Sequence, residues 1–281
     1  MRVARENPLI TASELRAALG SDRPPVVLDV RSGPGGRAAF LAGHIPTALY
    51  VSLQSDLSGP DGPAEGRTPL PDAASLQEAA RGWGISTGCD VVVYDDVRGL
   101  SAGRAWWILR WAGHAAVRLL DGGLAAWNDA GGELTTELTT PRRGDFVVRP
   151  GSLPVFTAGD VIALPATGIL VDARESARYS GESEPLDPVA GHIPGAISLP
   201  TTSNLGSDGR FLAPAALRAR FAASGLQGRD PIVVYCGSGV TAAHEILALH
   251  VAGLEAVMYP PSWSGWISDP SHPVSTGSSP A

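Results

Sequence analysis

One plan is written twice along this chain. Val26-Val27-Leu28-Asp29-Val30-Arg31 leads to Ala42-Gly43-His44-Ile45-Pro46, and Ile169-Leu170-Val171-Asp172-Ala173-Arg174 leads to Ala190-Gly191-His192-Ile193-Pro194-Gly195-Ala196. Farther on, Val91-Val92-Val93-Tyr94 answers Ile232-Val233-Val234-Tyr235, Ala112-Gly113-His114 answers Ala252-Gly253-Leu254, and Trp127 answers Trp266. A repeat of this length means two structural units of one kind, and it governs how any local motif is interpreted. The 281 residues suffice for two domains, each able to bury its own core. Residues 132–154, rich in Pro, Gly, Thr and Arg, read as a surface linker, and the boundary is placed near residue 145, giving domains 1–145 and 146–281. The Ser/Pro/Gly-rich tail from Ser271 to Ala281 is expected to be mobile.

Within each copy, short continuous β-branched runs such as 26–30 and 91–94 suit strands buried on both faces. The Ala/Leu/Arg segments between them carry helical spacing. The stretch Ser13-Glu14-Leu15-Arg16-Ala17-Ala18-Leu19 stops at Gly20, and 101–110 runs into Trp111-Ala112-Gly113, each closed by the glycine that ends a helix. Strand alternating with helix predicts an α/β fold, with a parallel sheet flanked by helices in each domain.

Composition excludes several classes of function. No stretch approaches the roughly 20 apolar residues of a membrane-spanning helix, so a soluble protein without membrane partners is expected. The net charge of −7 is spread without a basic cluster, which leaves nothing to neutralise nucleic-acid phosphates. The first eight residues lead to Thr11-Ala12-Ser13-Glu14 without an apolar run or cleavage site, which predicts a cytoplasmic location. The only two cysteines, Cys89 and Cys236, fit free thiols in a reducing compartment better than a disulfide scaffold. No His/Cys/Asp cluster has metal-ligand spacing and no glycine-rich nucleotide signature follows a strand, so neither metal nor cofactor is expected.

The chemistry concentrates after the run 232–235. There Cys236-Gly237-Ser238-Gly239-Val240-Thr241 leads into the helical Ala242-Ala243-His244-Glu245-Ile246-Leu247. Two glycines let successive backbone N–H groups curl toward one point, and a helix N-terminus adds partial positive charge there. A thiolate seated in such a loop is stabilised and reactive. Cys89, in Gly88-Cys89-Asp90, lacks such a cradle and reads as structural. At the station of Cys236 the first copy has Asp95, within Tyr94-Asp95-Asp96-Val97-Arg98-Gly99. A carboxylate is no substitute for a thiolate nucleophile, so the first domain is expected to be a non-catalytic partner.

The paired Asp-x-Arg strand ends, the two Gly-His-Ile-Pro segments, Arg104-Ala105-Trp106-Trp107 and Ser262-Trp263-Ser264-Gly265-Trp266 together resemble the tandem rhodanese-domain sulfurtransferases over nearly the whole chain. The loop 236–241 resembles the 3-mercaptopyruvate branch, whereas the thiosulfate branch usually has basic residues after its cysteine. An uncharged Gly-Ser-Gly loop also suits a singly charged donor better than doubly charged thiosulfate. The resemblance implies a ping-pong reaction: Cys236 takes a sulfur from a small-molecule donor, pyruvate leaves, and a Cys236 persulfide passes the sulfur to thioredoxin, a small thiol or cyanide. The amides of Gly237, Gly239, Val240 and Thr241 would hold that persulfide.

The resemblance further implies that Arg178 receives the donor's carboxylate or sulfonate, a task suited to a guanidinium fork. Ser238 and His44 match two members of a proposed Ser-His-Asp relay, for which no acid is found in 33–37; His192 at the matching spot of the other copy favours a fold role for His44. Arg174, shared with Arg31 of the empty copy, reads as a fold residue in an ion pair. The branch's second arginine has no counterpart in Glu182-Ser183-Glu184-Pro185-Leu186-Asp187, so a second substrate cation is expected to be missing. His244 reads as a packing residue, and Trp263 and Trp266 as an apolar wall of the cleft. Alternatives are a thiosulfate:cyanide sulfurtransferase or a non-catalytic persulfide carrier. A cysteine phosphatase would need an arginine closing the loop, where Ala242 stands.

Overall fold

The computed structural model of the chain describes residues 7–280. Residues 1–6, most of the stretch read for a leader, lie outside the described residues. No helix among the described residues is long and apolar enough to cross a membrane. The chain forms two compact units: one holds the residues up to Leu57, Pro71–Ser152 and Ser207–Arg210, the other Ser58–Leu70, Leu153–Gly206 and Phe211–Ala281.

The first unit contains a five-stranded parallel sheet of β1 (Leu9–Ile10), β2 (Val26–Arg31), β3 (Leu49–Ser52), β4 (Val91–Tyr94) and β5 (Val117–Leu120), in the order β1-β5-β4-β2-β3. The second contains β6 (Ile169–Asp172), β7 (Ala196–Ser198), β8 (Ile232–Tyr235) and β9 (Val257–Met258), ordered β7-β6-β8-β9, with Val155 bridging in parallel to Met258 where a fifth strand would lie. Every named strand pair is parallel. The repeat therefore extends to register: Asp29 pairs with Tyr94 in one sheet and Asp172 with Tyr235 in the other.

Burial on both faces explains the runs without alternation. Val91, Val92 and Val93, like Val233 and Val234, are at or near zero exposure, and each such side chain contributes roughly 1.5–3 kcal/mol of transfer free energy. One core gathers Leu15, Val27, Phe40, Val92 and Trp127, the other Leu170, Tyr179, Val233, Trp263 and Trp266.

The division falls after Ser152, not near residue 145. The intervening residues are tied to the first unit by backbone bonds from Gly144 to Arg81, Phe146 to Ile85, Arg149 to Ala112 and Ser152 to Trp111. The linker is therefore a strap on the first unit, and periodicity carries no record of such bonds. The tail is likewise held to the second unit as far as Gly277: His192 and Ser275 form an antiparallel bridge, Gly277 N–H donates to Ser180, and Pro273 accepts from Trp266 Nε1. Backbone pairing replaces the mobility that composition suggested.

Both Gly-His-Ile-Pro segments are built alike. Tyr94 Oη accepts the Ile45 amide at 3.0 Å and Tyr235 Oη the Ile193 amide at 3.1 Å. His44 stacks on Phe40 with its Nδ1 2.9 Å from the Phe40 carbonyl, and His192 stacks on Tyr179 with its Nδ1 2.9 Å from the Tyr179 carbonyl.

Candidate active site

β8 ends at Tyr235, the loop 236–239 turns, and a helix runs Val240–Val251. Gly239 caps that helix at φ 81°, a left-handed conformation that strains any residue with a β-carbon. The turn brings the Gly239 amide to Sγ of Cys236 at 3.1 Å. The Cys236 amide donates to Ser262 Oγ at 3.1 Å, and that hydroxyl donates to the Tyr259 carbonyl at 3.1 Å. The Trp263 and Ser264 amides take the Cys236 and Gly237 carbonyls at 2.9 and 3.0 Å. The carbonyls of Cys236 and Gly237 are thus bound away from the sulfur, which receives the Gly239 amide. Ser262 was missed in the sequence, where a serine ahead of two tryptophans carries no signal of a backbone clamp.

The equivalent loop of the first unit shows what such a cradle holds. Gly99 also caps its helix in the left-handed region, at φ 86°. The fully buried Asp95 carboxylate accepts Val97 and Gly99 amides on Oδ1, at 2.9 and 2.8 Å, and Ser101 and Ala102 amides on Oδ2, both at 2.8 Å. Burial pushes the Asp95 carboxyl up and the four amides oppose that shift. Four donors suit an acceptor-only carboxylate, because a proton would set O–H against N–H. Aligning the two helix caps pairs Gly99 with Gly239, Ser101 with Thr241 and Ala102 with Ala242. In the first unit this space is already filled by a built-in anion.

Cys89, by contrast, accepts the Ser86 amide at 3.4 Å within a turn that opens no helix, and burial outweighs that bond and pushes its thiol up. Both cysteines are free thiols.

Over the Cys236 loop lies a ladder of alternating charge. Asp172 binds Arg174 through Nε at 3.0 Å and Nη2 at 2.6 Å, and Arg174 Nη1 reaches Glu184 at 3.3 Å. Glu184 takes Arg178 Nη2 at 2.7 Å, and Arg178 Nη2 also donates to Asp187 at 3.0 Å. Arg67 completes the ladder with a two-pronged bond to Asp187, Nε at 2.9 Å and Nη2 at 3.0 Å. Burial pushes the Glu184 carboxyl up, but Arg178 and the Leu186 and Asp187 amides outweigh it and hold the group below the usual carboxylate range. Asp187, opposed by burial, keeps Arg67 firmly protonated, with nearby Cys236 and Glu184 adding to the effect.

A β-carbon built on Gly237 would stand 3.1 Å from Arg67 Nη2 and 3.3 and 3.4 Å from Arg178 Nη1 and Nη2. Two guanidinium groups therefore meet over the residue next to the nucleophile. A second guanidinium is present beside Arg178 all the same: 182–187 supplies none, but residues 58–70 belong to the second unit and bring Arg67. Nothing local to Gly66-Arg67-Thr68 announces this, since only tertiary structure carries the segment there.

The other candidates divide clearly. Arg178 is a site residue, its side chain 16 % exposed and facing Gly237. Ser238 is half-buried on the loop, with Val240 and Thr241 opening the helix. Arg174 is buried in its ion pair and lies 4.8 Å from the Trp263 ring, in keeping with a fold role. His44 belongs to the first unit, where its Nδ1 and Nε2 face the Phe40 and Glu137 carbonyls at 2.9 and 3.1 Å, and its one N–H in the neutral ring donates to one of them. His244 packs on Phe211 with Nδ1 2.8 Å from Thr201 Oγ1. Trp263 and Trp266 are not a cleft wall: both are core, with indole N–H groups bonded to Val189 and Pro273. Among the described residues no three His, Cys, Asp or Glu side chains gather as a metal site.

A parallel sheet that ends in a cysteine–glycine loop opening a helix, carried twice with one nucleophile, defines a tandem rhodanese-type protein. The rhodanese-like domain family matches residues 11–130 and 157–269, and the chain belongs to that family. It is 48 % identical over 280 residues to the "Probable 3-mercaptopyruvate sulfurtransferase" of Pseudomonas aeruginosa, covering 96 % of this chain and 98 % of that protein. It is 46 % identical over 283 residues to the "Putative thiosulfate sulfurtransferase SseB" of Mycobacterium tuberculosis, covering 98 % and 99 %. Among solved structures, the 3-mercaptopyruvate sulfurtransferase SseA of Escherichia coli superposes with a TM-score of 0.80 at 30 % identity, covering 92 % of this chain and 99 % of that one. The anaerobic ergothioneine biosynthesis enzyme of Chlorobium limicola gives a TM-score of 0.85 at 23 % identity, covering 99 % of this chain and 72 % of that one, a likeness of fold.

Proposed function

We propose that this chain is a sulfurtransferase that takes sulfur from 3-mercaptopyruvate onto Cys236 and passes it to a thiol or cyanide. The observation that carries this reading is the Gly239 amide on Cys236 Sγ, in a loop whose counterpart holds a whole carboxylate with four amides. A persulfide presents the same need as that carboxylate: two adjacent acceptor atoms, one negative charge and no room for water.

In the first half-reaction the Cys236 thiolate attacks the donor's sulfur. The S–S bond forms as the C–S bond breaks, and the electron pair leaves on carbon as the pyruvate enolate, stabilised by its ketone. The former thiol proton balances the protonation of that carbon, so pyruvate departs and Cys236–S–S⁻ remains. Arg178 anchors the donor carboxylate, and Ser238 donates its hydroxyl proton's hydrogen bond toward the developing enolate oxygen. The amides of Gly237, Gly239, Val240 and Thr241 receive the persulfide anion. In the second half-reaction an acceptor thiolate, from thioredoxin or a small thiol, or cyanide, attacks the outer sulfur, and the Cys236 thiolate is the leaving group. His44, whose ring nitrogens face backbone carbonyls within the first unit, has no part in this scheme. A nucleophile that must stay reduced fits a cytoplasmic setting.

A second reading, thiosulfate as donor, is favoured by the name of the Mycobacterium tuberculosis relative, a putative thiosulfate sulfurtransferase. Steady-state turnover with each donor on one preparation decides between them. Preference for 3-mercaptopyruvate with stoichiometric pyruvate release is expected, and faster turnover of thiosulfate would replace the donor named here.

A further inference from the structure

We propose that Arg67 is a second anion-binding residue of the Cys236 site, held by Asp187 so that it and Arg178 together select a singly charged carboxylate. This rests on Cys236 being the nucleophile, as proposed above, but not on which donor loads it.

Arg67 is built into place rather than resting on the surface. Its amide donates to Ser264 Oγ at 3.1 Å, and Ser264 in turn binds the Gly237 carbonyl through its own amide at 3.0 Å. Gly66 makes the approach possible: at φ 76°, a β-carbon there would stand 2.5 Å from the Pro261 carbonyl and 2.7 Å from Ser264 Oγ. The side chain is then fixed by the fork on Asp187, whose carboxylate is 2 % exposed. One carboxylate thus holds two like charges side by side and offsets their repulsion.

The hydrogen bonds leave donors to spare. Arg178 spends Nε and Nη2 on Glu184 and Asp187, and its Nη1 donates to none of the described residues. Arg67 spends Nε and one hydrogen of Nη2 on Asp187. These unspent N–H groups, Arg178 Nη1 and Arg67 Nη2, are the ones nearest the space over Gly237. A carboxylate entering there completes an arrangement of two guanidinium groups and two carboxylates. The ladder Asp172, Arg174, Glu184, Arg178, Asp187, Arg67 is neutral as a whole. It therefore offers directed donors without excess charge, which favours a monoanion over a dianion arriving beside a thiolate. Glycine at 237 keeps that space open, since a side chain would occupy it.

The test compares the rates at which Cys236 is alkylated by iodoacetate and by iodoacetamide, reagents that share one reaction and differ in a carboxylate. Arg67→Met, at a side chain 39 % exposed, removes the guanidinium without opening a cavity. We expect the iodoacetate-to-iodoacetamide rate ratio to fall by about tenfold, the worth of a charged hydrogen bond, with Arg67→Lys intermediate. The iodoacetamide rate carries only the loss of thiolate stabilisation by Arg67, so it should fall less than the iodoacetate rate, and the ratio isolates the carboxylate contact. In turnover, the KM for the donor should rise with kcat nearly unchanged. An unchanged alkylation ratio in Arg67→Met overturns the proposal, as does an equal loss with both reagents. Failure of wild-type protein to release pyruvate would instead fault the donor assignment and leave the alkylation ratio to judge Arg67.

Discussion

The amide of Gly239 lies 3.1 Å from Sγ of Cys236, at the station where the first repeat sets the amide of Gly99 on Asp95. One backbone device thus serves two ends: in one unit it holds a permanent anion and in the other it faces a reactive one. The difference of activity between the repeats reduces to the atom presented to that cradle.

Gly239→Ala should therefore damage chemistry and fold together. A left-handed φ costs a residue with a β-carbon about 1–2 kcal/mol, and relief of that strain turns the amide away from sulfur. A lower melting temperature and a fall in single-turnover pyruvate release of more than about tenfold are expected. Near-normal release would mean that this amide is dispensable.

Asp95→Asn tests the filled cradle. An amide group places N–H donors where four backbone donors already point, and leaving buried donors unmatched costs about 1–3 kcal/mol. Urea unfolding should show this loss in the first unit. No sulfurtransferase activity is expected from Asp95→Cys in a chain that also carries Cys236→Ser, since that loop holds one more residue before its capping glycine.

Asp187→Asn removes the charge that separates Arg67 from Arg178. Arg178 keeps Glu184 and Arg67 is 39 % exposed, so the loss should be about 1–3 kcal/mol of stability, the worth of the broken charged hydrogen bonds, together with a raised KM for the anionic donor. A stable variant with normal KM would contradict the positioning role given to Asp187.

Glu245 gives the chain a predictable pH dependence. It is fully buried on the helix that begins at the cysteine loop, bonded to Asn204 Nδ2 at 2.5 Å; burial raises its carboxyl from 4.5 to about 7, opposed by Thr201, Asn204 and Arg220. Because the folded value lies above the unfolded one, the native state keeps a proton that the unfolded chain gives up. The penalty is absent below pH 4.5, grows as pH rises, and is complete above about 7, where it is on the order of 3 kcal/mol. Glu245→Gln should therefore gain melting temperature relative to the wild type at pH 8 and little at pH 5. Equal effects at both pH values would show that Glu245 does not titrate there.

How much of this was legible in the sequence follows from how local each feature is. β2, β4, β6 and β8 announce themselves because strands buried on both faces must be β-branched along their length, and the doubled plan then fixes the parallel architecture. Cys236 stood out because its glycines and the following helix lie within six residues of it. Arg67 did not, since its relation to Gly237 depends on where residues 58–70 settle, and Gly66 advertises a turn without naming its neighbour. The tryptophans show the opposite limit: core burial and a cleft wall demand the same residue, and only the bonds from Trp263 to Val189 and Trp266 to Pro273 tell them apart.

Intact-mass analysis after brief exposure to 3-mercaptopyruvate, followed by peptide mapping, asks the most direct question of the Cys236 cradle. Wild-type protein and Cys89→Ser should each gain one sulfur atom, mapped to residue 236 and lost on adding a thiol or cyanide, while Cys236→Ser gains none. Sulfur appearing on Cys89, or donor turnover that survives in Cys236→Ser, would contradict a persulfide held at this loop.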